Sequence, residues 1–270
     1  MIKILLLFAL FLISPNCFSQ DSLITDKSIS ENFINDTEIV ITDFLSFYTE
    51  PFNFSSTEWL YTAGIFGGTF LLFSVDQEIT NEVGRKTIAT LNNDFWDIPT
   101  RYGITPYATV FSLSTYAAGL LFKQDDIRIT GRLLFESLTI SGVGIIAIRY
   151  LAGRERPYYD KGEWAFKGFQ TSNEFQSFPS GHTSVAFALS TVLAERIDNF
   201  WARLGFYGMA TLTATARVIN NQHFLSDVVW GALLGFGAGM YVVHKEQELE
   251  KGNSLSIYPG LNKISIVYSF

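Results

Sequence analysis

This 270-residue chain is poor in several things at once: it has one cysteine (Cys17), three histidines, and charged residues at only 17% against 48% hydrophobic ones. A single cysteine cannot form an internal disulfide, which excludes a stapled small secreted framework and leaves the redox compartment unread. So little charge places the chain between ordinary soluble proteins and polytopic membrane proteins. Basic excess is also missing. Nineteen Lys and Arg against 26 Asp and Glu give a net charge of −7, which argues against nucleic acid as a partner. Long uncharged apolar runs are scarce too, although a spanning helix needs roughly 20 such residues. Leu133 to Tyr150 is broken by Glu136 and Arg149, and Leu204 to Ala216 sits between Arg203 and Arg217. No internal repeat is visible, and nothing in the middle of the chain reads as a linker.

What is present begins with a targeting segment. Lys3, the apolar run Ile4 to Ile13 and the small-residue site around Cys17-Phe18-Ser19 predict a signal peptide over 1–19, cleaved before Gln20. A lipoprotein site at Cys17 is the rival, but Ser14-Pro15-Asn16 is a poor approach to one. A polar, irregular segment is expected over 20–57, containing one short amphipathic run at Ile39 to Tyr48. Six apolar stretches follow: Trp59 to Val75, Tyr107 to Phe122, Leu133 to Tyr150, Thr183 to Ala194, Leu204 to Ala216 and Val228 to Val243. The separators, Asp76 to Arg101 among them, carry turn and charge signals. The pattern predicts an all-α bundle of about six core helices over 58–247. In the tail at 248–270, Ile264, Ile266, Tyr268 and Phe270 alternate with other residues, which predicts a short β-hairpin with Leu255 to Tyr258 across Pro259-Gly260.

The chemistry gathers in three stretches: Arg149-x6-Arg156-Pro157, Pro179-Ser180-Gly181-His182 and Arg217-x5-His223-x3-Asp227. Phosphoryl transfer spreads negative charge over three oxygens, and Arg149, Arg156 and Arg217 are suited to meet it, because a guanidinium fork binds oxyanions bidentately and stays charged when buried. Ser180 and Gly181 precede an apolar run, as at a helix N-terminus, where free N–H groups and the helix dipole favour an anion. Asp227 lies four residues after His223, so its carboxylate is placed to accept from one ring nitrogen and leave the other bare as a nucleophile. His182 then remains as general acid and later base. Singly, each of these residues has a structural reading, as a satisfied core histidine, an interface arginine or a helix cap. Ten specified residues in register outweigh that.

The three stretches resemble the type 2 phosphatidic acid phosphatase superfamily, which includes lipid phosphatases, bacterial class A acid phosphatases and vanadium haloperoxidases. Its pattern is K-x6-R-P, P-S-G-H and S-R-x5-H-x3-D, and the likeness covers roughly Trp59 to Lys245. Arg149 stands where the family has lysine, and Ala216 where it has serine. The resemblance implies an α-helical bundle and a phosphatase without metal or other cofactor, with His223 as nucleophile. Vanadate is expected as an inhibitor, or as the cofactor if the chain were instead a haloperoxidase.

The expected substrate is a phosphorylated lipid or a small phosphoester. The ring-rich stretch Tyr158 to Phe178 favours the lipid, as a lid or rim; an exported broad-specificity acid phosphatase is the alternative. With the signal, these features predict a membrane-associated envelope protein with its site facing the periplasm or exterior. The number of spans stays open, since Lys and Arg occur in both sets of loops. Asp125-Asp126 reads as a solvated loop rather than a metal site, and His244 as a solvated helix end.

Overall fold

A computed structural model of the protein describes residues 28–87, 93–251, 255–260 and 263–268. The expected signal peptide lies outside them. Nine α-helices occur among the described residues: α1 Ile29–Thr49, α2 Ser56–Phe70, α3 Asp76–Thr87, α4 Asn93–Tyr102, α5 Thr105–Phe122, α6 Asp125–Ala152, α7 Gly181–Ile197, α8 Phe200–Ile219 and α9 Leu225–Glu250. Every apolar stretch of the sequence falls on one of them, except that the first ends in a 3-10 turn over Leu71–Val75, so the fold is the all-α bundle expected.

Three local expectations are corrected. The amphipathic run near Ile39 belongs to a 21-residue helix, which starts at a capping box where Ser28 accepts from the Glu31 N–H and Glu31 from the Ser28 N–H. Asp76 to Arg101, read as a connection, holds α3 and α4. Its charges hid the helices: Glu78, Asp97 and Arg101 are exposed, whereas Asp76 is buried. Asp125 and Asp126 are not in a loop. They form the first turn of α6, where a carboxylate complements the helix dipole, and they pair with Arg128 and Arg196.

The core is built by α6, α7 and α9, with Leu133, Leu134, Ile140, Leu189, Val192, Leu193, Val242 and Val243 interlocked, and with Phe44 and Phe47 of α1 packed against them. Helices α7 and α9 approach closely because Gly231, Gly235 and Gly239 present no side chain. A Cβ at Gly231 would stand 2.3 Å from the Ser180 carbonyl oxygen, and one at Gly235 2.1 Å from that of Ser184. At the end of α6 the chain reverses through Gly153 in the left-handed region, its N–H returning 2.8 Å to the Arg149 carbonyl.

Glu136, which breaks an apolar run in sequence, is buried beside Arg132. Arg132 of α6 bonds Glu246 of α9 and lies 3.5 Å from Asp36 of α1 and 3.8 Å from Glu136. Helices α6 and α9 are the two among the described residues that are long and apolar enough to cross a membrane. Helix α2 buries none of its residues and is apolar on all sides, with Leu60 70% and Tyr61 69% exposed. A helix of that kind suits an apolar surrounding.

The C-terminal hairpin pairs Leu255–Gly260 antiparallel with Lys263–Tyr268. The sequence placed the turn at Pro259-Gly260. The strand runs through both, and Gly260 pairs with Lys263.

Candidate active site

Four helix ends and one long loop meet at a single place. The end of α6 supplies Arg149 and the following turn Arg156. The start of α7 supplies Gly181 and His182, capped by Ser180. The end of α8 supplies Arg217, the short turn after it His223, and the first turn of α9 Asp227. The three sequence stretches therefore share one pocket.

Arg149 is anchored by its Nε donating 3.0 Å to the Pro179 carbonyl, which lays the guanidinium along the start of α7. A Cβ at residue 181 would sit 3.1 Å from Arg149 Nη2, so glycine keeps this approach open. Arg156 is gripped by Asn173, its Nε donating 3.0 Å to the carbonyl and its Nη2 2.9 Å to Oδ1. Gln222 Oε1 lies 3.2 Å from Arg156 Nη1 and 3.5 Å from Arg217 Nη2 and ties the two arginines together. The Arg217 Nε is buried without a partner. Among the described residues, no carboxylate lies within ion-pair distance of Arg149, Arg156 or Arg217.

Such crowding leaves a mark on acidity. Burial, and then the neighbouring Arg156, pulls Arg217 down to about 10, and burial likewise lowers Arg156. Burial followed by Arg217, His223, Arg149 and Arg156 pushes His182 down to about 3. The site is thus a concentration of positive charge with a neutral imidazole beside it.

His223 is buried and precedes α9 rather than lying on it. Its Nδ1 stands 2.7 Å from the Ser177 carbonyl oxygen and 3.7 Å from Asp227 Oδ2. A carbonyl can only accept, so Nδ1 carries the proton and Nε2 is bare. Burial holds His223 down to about 4, against the opposing pull of Asp227. This corrects the expected arrangement, because the hydrogen bond that sets the tautomer goes to Ser177, and Asp227 contributes charge from just beyond hydrogen-bond distance. The four-residue spacing places both groups on one helical face only if both are helical, and His223 is not.

Asp227 is fully buried and occupied on both oxygens: Oδ1 accepts from Arg154 at 2.7 Å, and Oδ2 from Ser177 Oγ at 2.5 Å and the Phe224 N–H at 2.8 Å. Its carbonyl accepts from the Ser180 N–H at 2.9 Å, which joins the start of α9 to the start of α7. Ser180 is fully buried, with Thr183 Oγ1 donating to its Oγ at 3.0 Å. No side chain caps α7, so its first N–H groups stay free.

The sequence reading missed Ser177, Gln222, Arg154 and Asp76. Arg154 is two residues from Arg156, and that nearness was its one signal. Asp76 had none, being remote in the chain from every motif. Among the described residues, no group of three His, Cys, Asp or Glu is placed to hold a metal ion.

Comparison with known proteins bears on the sequence and the fold. The sequence model of the PAP2 superfamily matches residues 130–251, which contain every residue of the pocket except Asp76. A lipid A 1-phosphatase of Rhizobium johnstonii is 33% identical over 110 residues, covering 40% of this chain and 43% of that protein. One of Porphyromonas gingivalis is 40% identical over 65 residues, covering 23% and 15%. The match thus spans less than half the length of these relatives. The crystal structure of a transmembrane PAP2-type phosphatidylglycerolphosphate phosphatase from Bacillus subtilis covers 69% of this chain and 96% of its own, with a TM-score of 0.50 at 16% identity, a likeness of fold. Motif order, helical architecture and sequence match concur, and the stretch over residues 130–251 resembles the PAP2 superfamily.

Proposed function

We propose that the protein is a phosphatase that hydrolyses lipid phosphomonoesters or pyrophosphates through a phosphohistidine. The observation that carries this reading is the set of three guanidiniums without carboxylate partners, facing a buried histidine whose Nε2 is bare. Arg149, Arg156, Arg217 and the free N–H groups at the start of α7 hold the phosphoryl oxygens. His223 Nε2 attacks phosphorus, the N–P bond forms as the P–O bond to the leaving group breaks, and His182 delivers a proton to the departing oxygen. The positive charge that develops on His223 faces Asp227. In the second half, His182 takes a proton from water, whose oxygen displaces histidine from phosphorus.

His182 is neutral in the empty pocket. A bound phosphate dianion offsets the arginines around it and raises its affinity for a proton, so the acid is armed by the substrate itself. With three guanidiniums meeting the charge, the step needs no metal.

A lipid substrate is favoured by an apolar cavity of about 570 Å³ lined by Phe70, Phe73, Ile148, Trp164, Phe178 and Trp230. Two of its lining residues, Ile148 and Phe178, adjoin Arg149 and Pro179 in the chain. Its size and lining suit a hydrocarbon chain. The relatives named as lipid A 1-phosphatases lie in the same substrate class. The exposed apolar faces of α2, α6 and α9 support membrane association, and we place the site on the periplasmic side, with residues 1–19 as the export signal.

The test compares kcat/KM for a detergent-solubilised lipid phosphate and for a small aryl phosphate, in wild type and in a Phe70→Ala, Trp164→Ala variant. The variant is expected to lose activity on the lipid alone. EDTA should leave both activities intact, and vanadate should compete with both substrates. Equal losses on the two substrates would return the ring cluster to plain packing. Full activity in His223→Ala would overturn the phosphohistidine route.

A further inference from the structure

Arg154 joins the loop after α6, the start of α9 and Asp76 of α3, yet it cannot touch a substrate. Its guanidinium is fully buried, and a guanidinium has five N–H donors. Nε and one N–H of Nη2 go to the Glu163 carbonyl at 3.0 and 2.6 Å. Those of Nη1 go to Ser226 Oγ at 2.8 Å and Asp227 Oδ1 at 2.7 Å, and the last goes to Asp76 Oδ2 at 2.9 Å. All five are committed. The plane is closed by Phe224 at 4.1 Å and Phe73 at 4.7 Å. Only one residue separates Arg154 from the phosphate ligand Arg156, but no donor is left for an oxyanion.

Asp76 is equally closed. Its Oδ1 accepts from the Ser226 N–H at 2.9 Å, and its Oδ2 from the Ser226 hydroxyl and from Arg154. A fully buried carboxylate, guanidinium and second carboxylate therefore run in line from Asp76 to Asp227. Burying such a triad is weak evidence for stability, since well-packed apolar side chains often serve as well. What the triad does provide is position. Asp227 holds the Ser177 hydroxyl, the Ser177 N–H donates 3.1 Å to the Arg154 carbonyl, and the Ser177 carbonyl takes the Nδ1 proton of His223.

We infer that Arg154, with Asp76 as its counter-charge, is a positioning residue for attack by His223: it fixes Asp227 and Ser177, and through Ser177 the tautomer and aim of the imidazole. This rests on the phosphatase reading above and adds to it a part of the machinery drawn from positions that the three motifs leave unspecified. In the attack step Nε2 gives its electron pair to phosphorus while Nδ1 keeps its proton on the Ser177 carbonyl. Asp227, pinned by Arg154, stays ionised opposite the imidazolium that forms.

The experiment uses the full-length protein with two substitutions, Arg154→Lys, whose single ammonium cannot span Asp76 and Asp227, and the near-isosteric Asp76→Asn. Three readouts are taken beside a thermal melt: kcat and KM on an aryl phosphate, inhibition by inorganic phosphate, which reports the arginine cradle, and inhibition by vanadate, which reports bonding to His223 Nε2. We expect kcat to fall about 100-fold, the cost of misplacing a reacting group by about 1 Å. KM and phosphate inhibition should stay within about twofold, while vanadate inhibition weakens. Wild-type kcat in both variants overturns the inference. So does parallel loss of phosphate binding, vanadate binding and thermal stability, or failure of both variants to fold, since each outcome makes the triad a structural pillar only. A wild type that binds vanadate without hydrolysing phosphoesters sinks the phosphatase reading and leaves the vanadate comparison to decide this one. A wild type that binds neither anion sinks both.

Discussion

Gly231→Ala should cripple the enzyme although residue 231 touches no substrate. The new Cβ would stand 2.3 Å from the Ser180 carbonyl oxygen, and ordinary contact begins near 3.4 Å, so the two helices must part by about 1 Å. The obstacle is backbone, so no side chain can swing aside. Overpacking of this kind costs about 1–3 kcal/mol of stability. The larger effect falls on chemistry. Ser180 caps α7, and moving it carries along the N–H groups that receive the phosphate and the backbone of His182, while the Ser180 N–H loses its 2.9 Å bond to Asp227. A shift of about 1 Å at such a point costs about 100-fold in kcat. The assay is steady-state hydrolysis of an aryl phosphate beside a thermal melt. Gly237→Ala on the same helix, where a Cβ meets open space, serves as control and should keep full kcat and gain up to about 1 kcal/mol in stability. A Gly231→Ala protein with wild-type kcat, or a Gly237→Ala protein equally impaired, would refute the argument that the α7–α9 approach sets the pocket.

Three further outcomes are expected. His182→Ala should lose most activity on alkyl phosphates and much less on aryl phosphates whose leaving group needs no proton, a contrast read from the ratio of the two kcat values. Because an anion raises His182 from its value of about 3 in the empty pocket, binding takes up a proton. Affinity for phosphate should therefore fall as pH rises through the bound-state pKa, and this component should vanish in His182→Ala when inhibition constants are compared across pH. Arg132→Leu removes the buried cation shared by Glu246, Asp36 and Glu136. It should cost about 3–5 kcal/mol, seen as a lowered melting temperature with kcat little changed in the surviving folded protein, since the cluster lies roughly 25 Å along α6 from Arg149.

How much of this was legible beforehand follows from the range of each interaction. Arg149, Arg156, Ser180, Gly181, His182, Arg217, His223 and Asp227 stood out in the sequence because each motif occupies one helix end, and a helix end is a local object: a cap, a turn and a few fixed spacings. The six apolar stretches were legible for the same reason. Helices α3 and α4 were not, because their charges mimic a loop unless one knows that Asp76 points inward to Arg154. Nor did the broken apolar runs disclose that Arg132 and Glu136 are buried, since their partners Asp36 and Glu246 come from the far ends of the chain. The pairing of His223 Nδ1 with the Ser177 carbonyl at 2.7 Å, rather than with Asp227 at 3.7 Å, is a matter of about 1 Å between two acceptors. Residue types and spacings determine which groups arrive at the pocket. Which acceptor faces the ring, and which arginine is used up by buried carboxylates, depends on segments 50 to 150 residues apart, and only their packing against one another decides it.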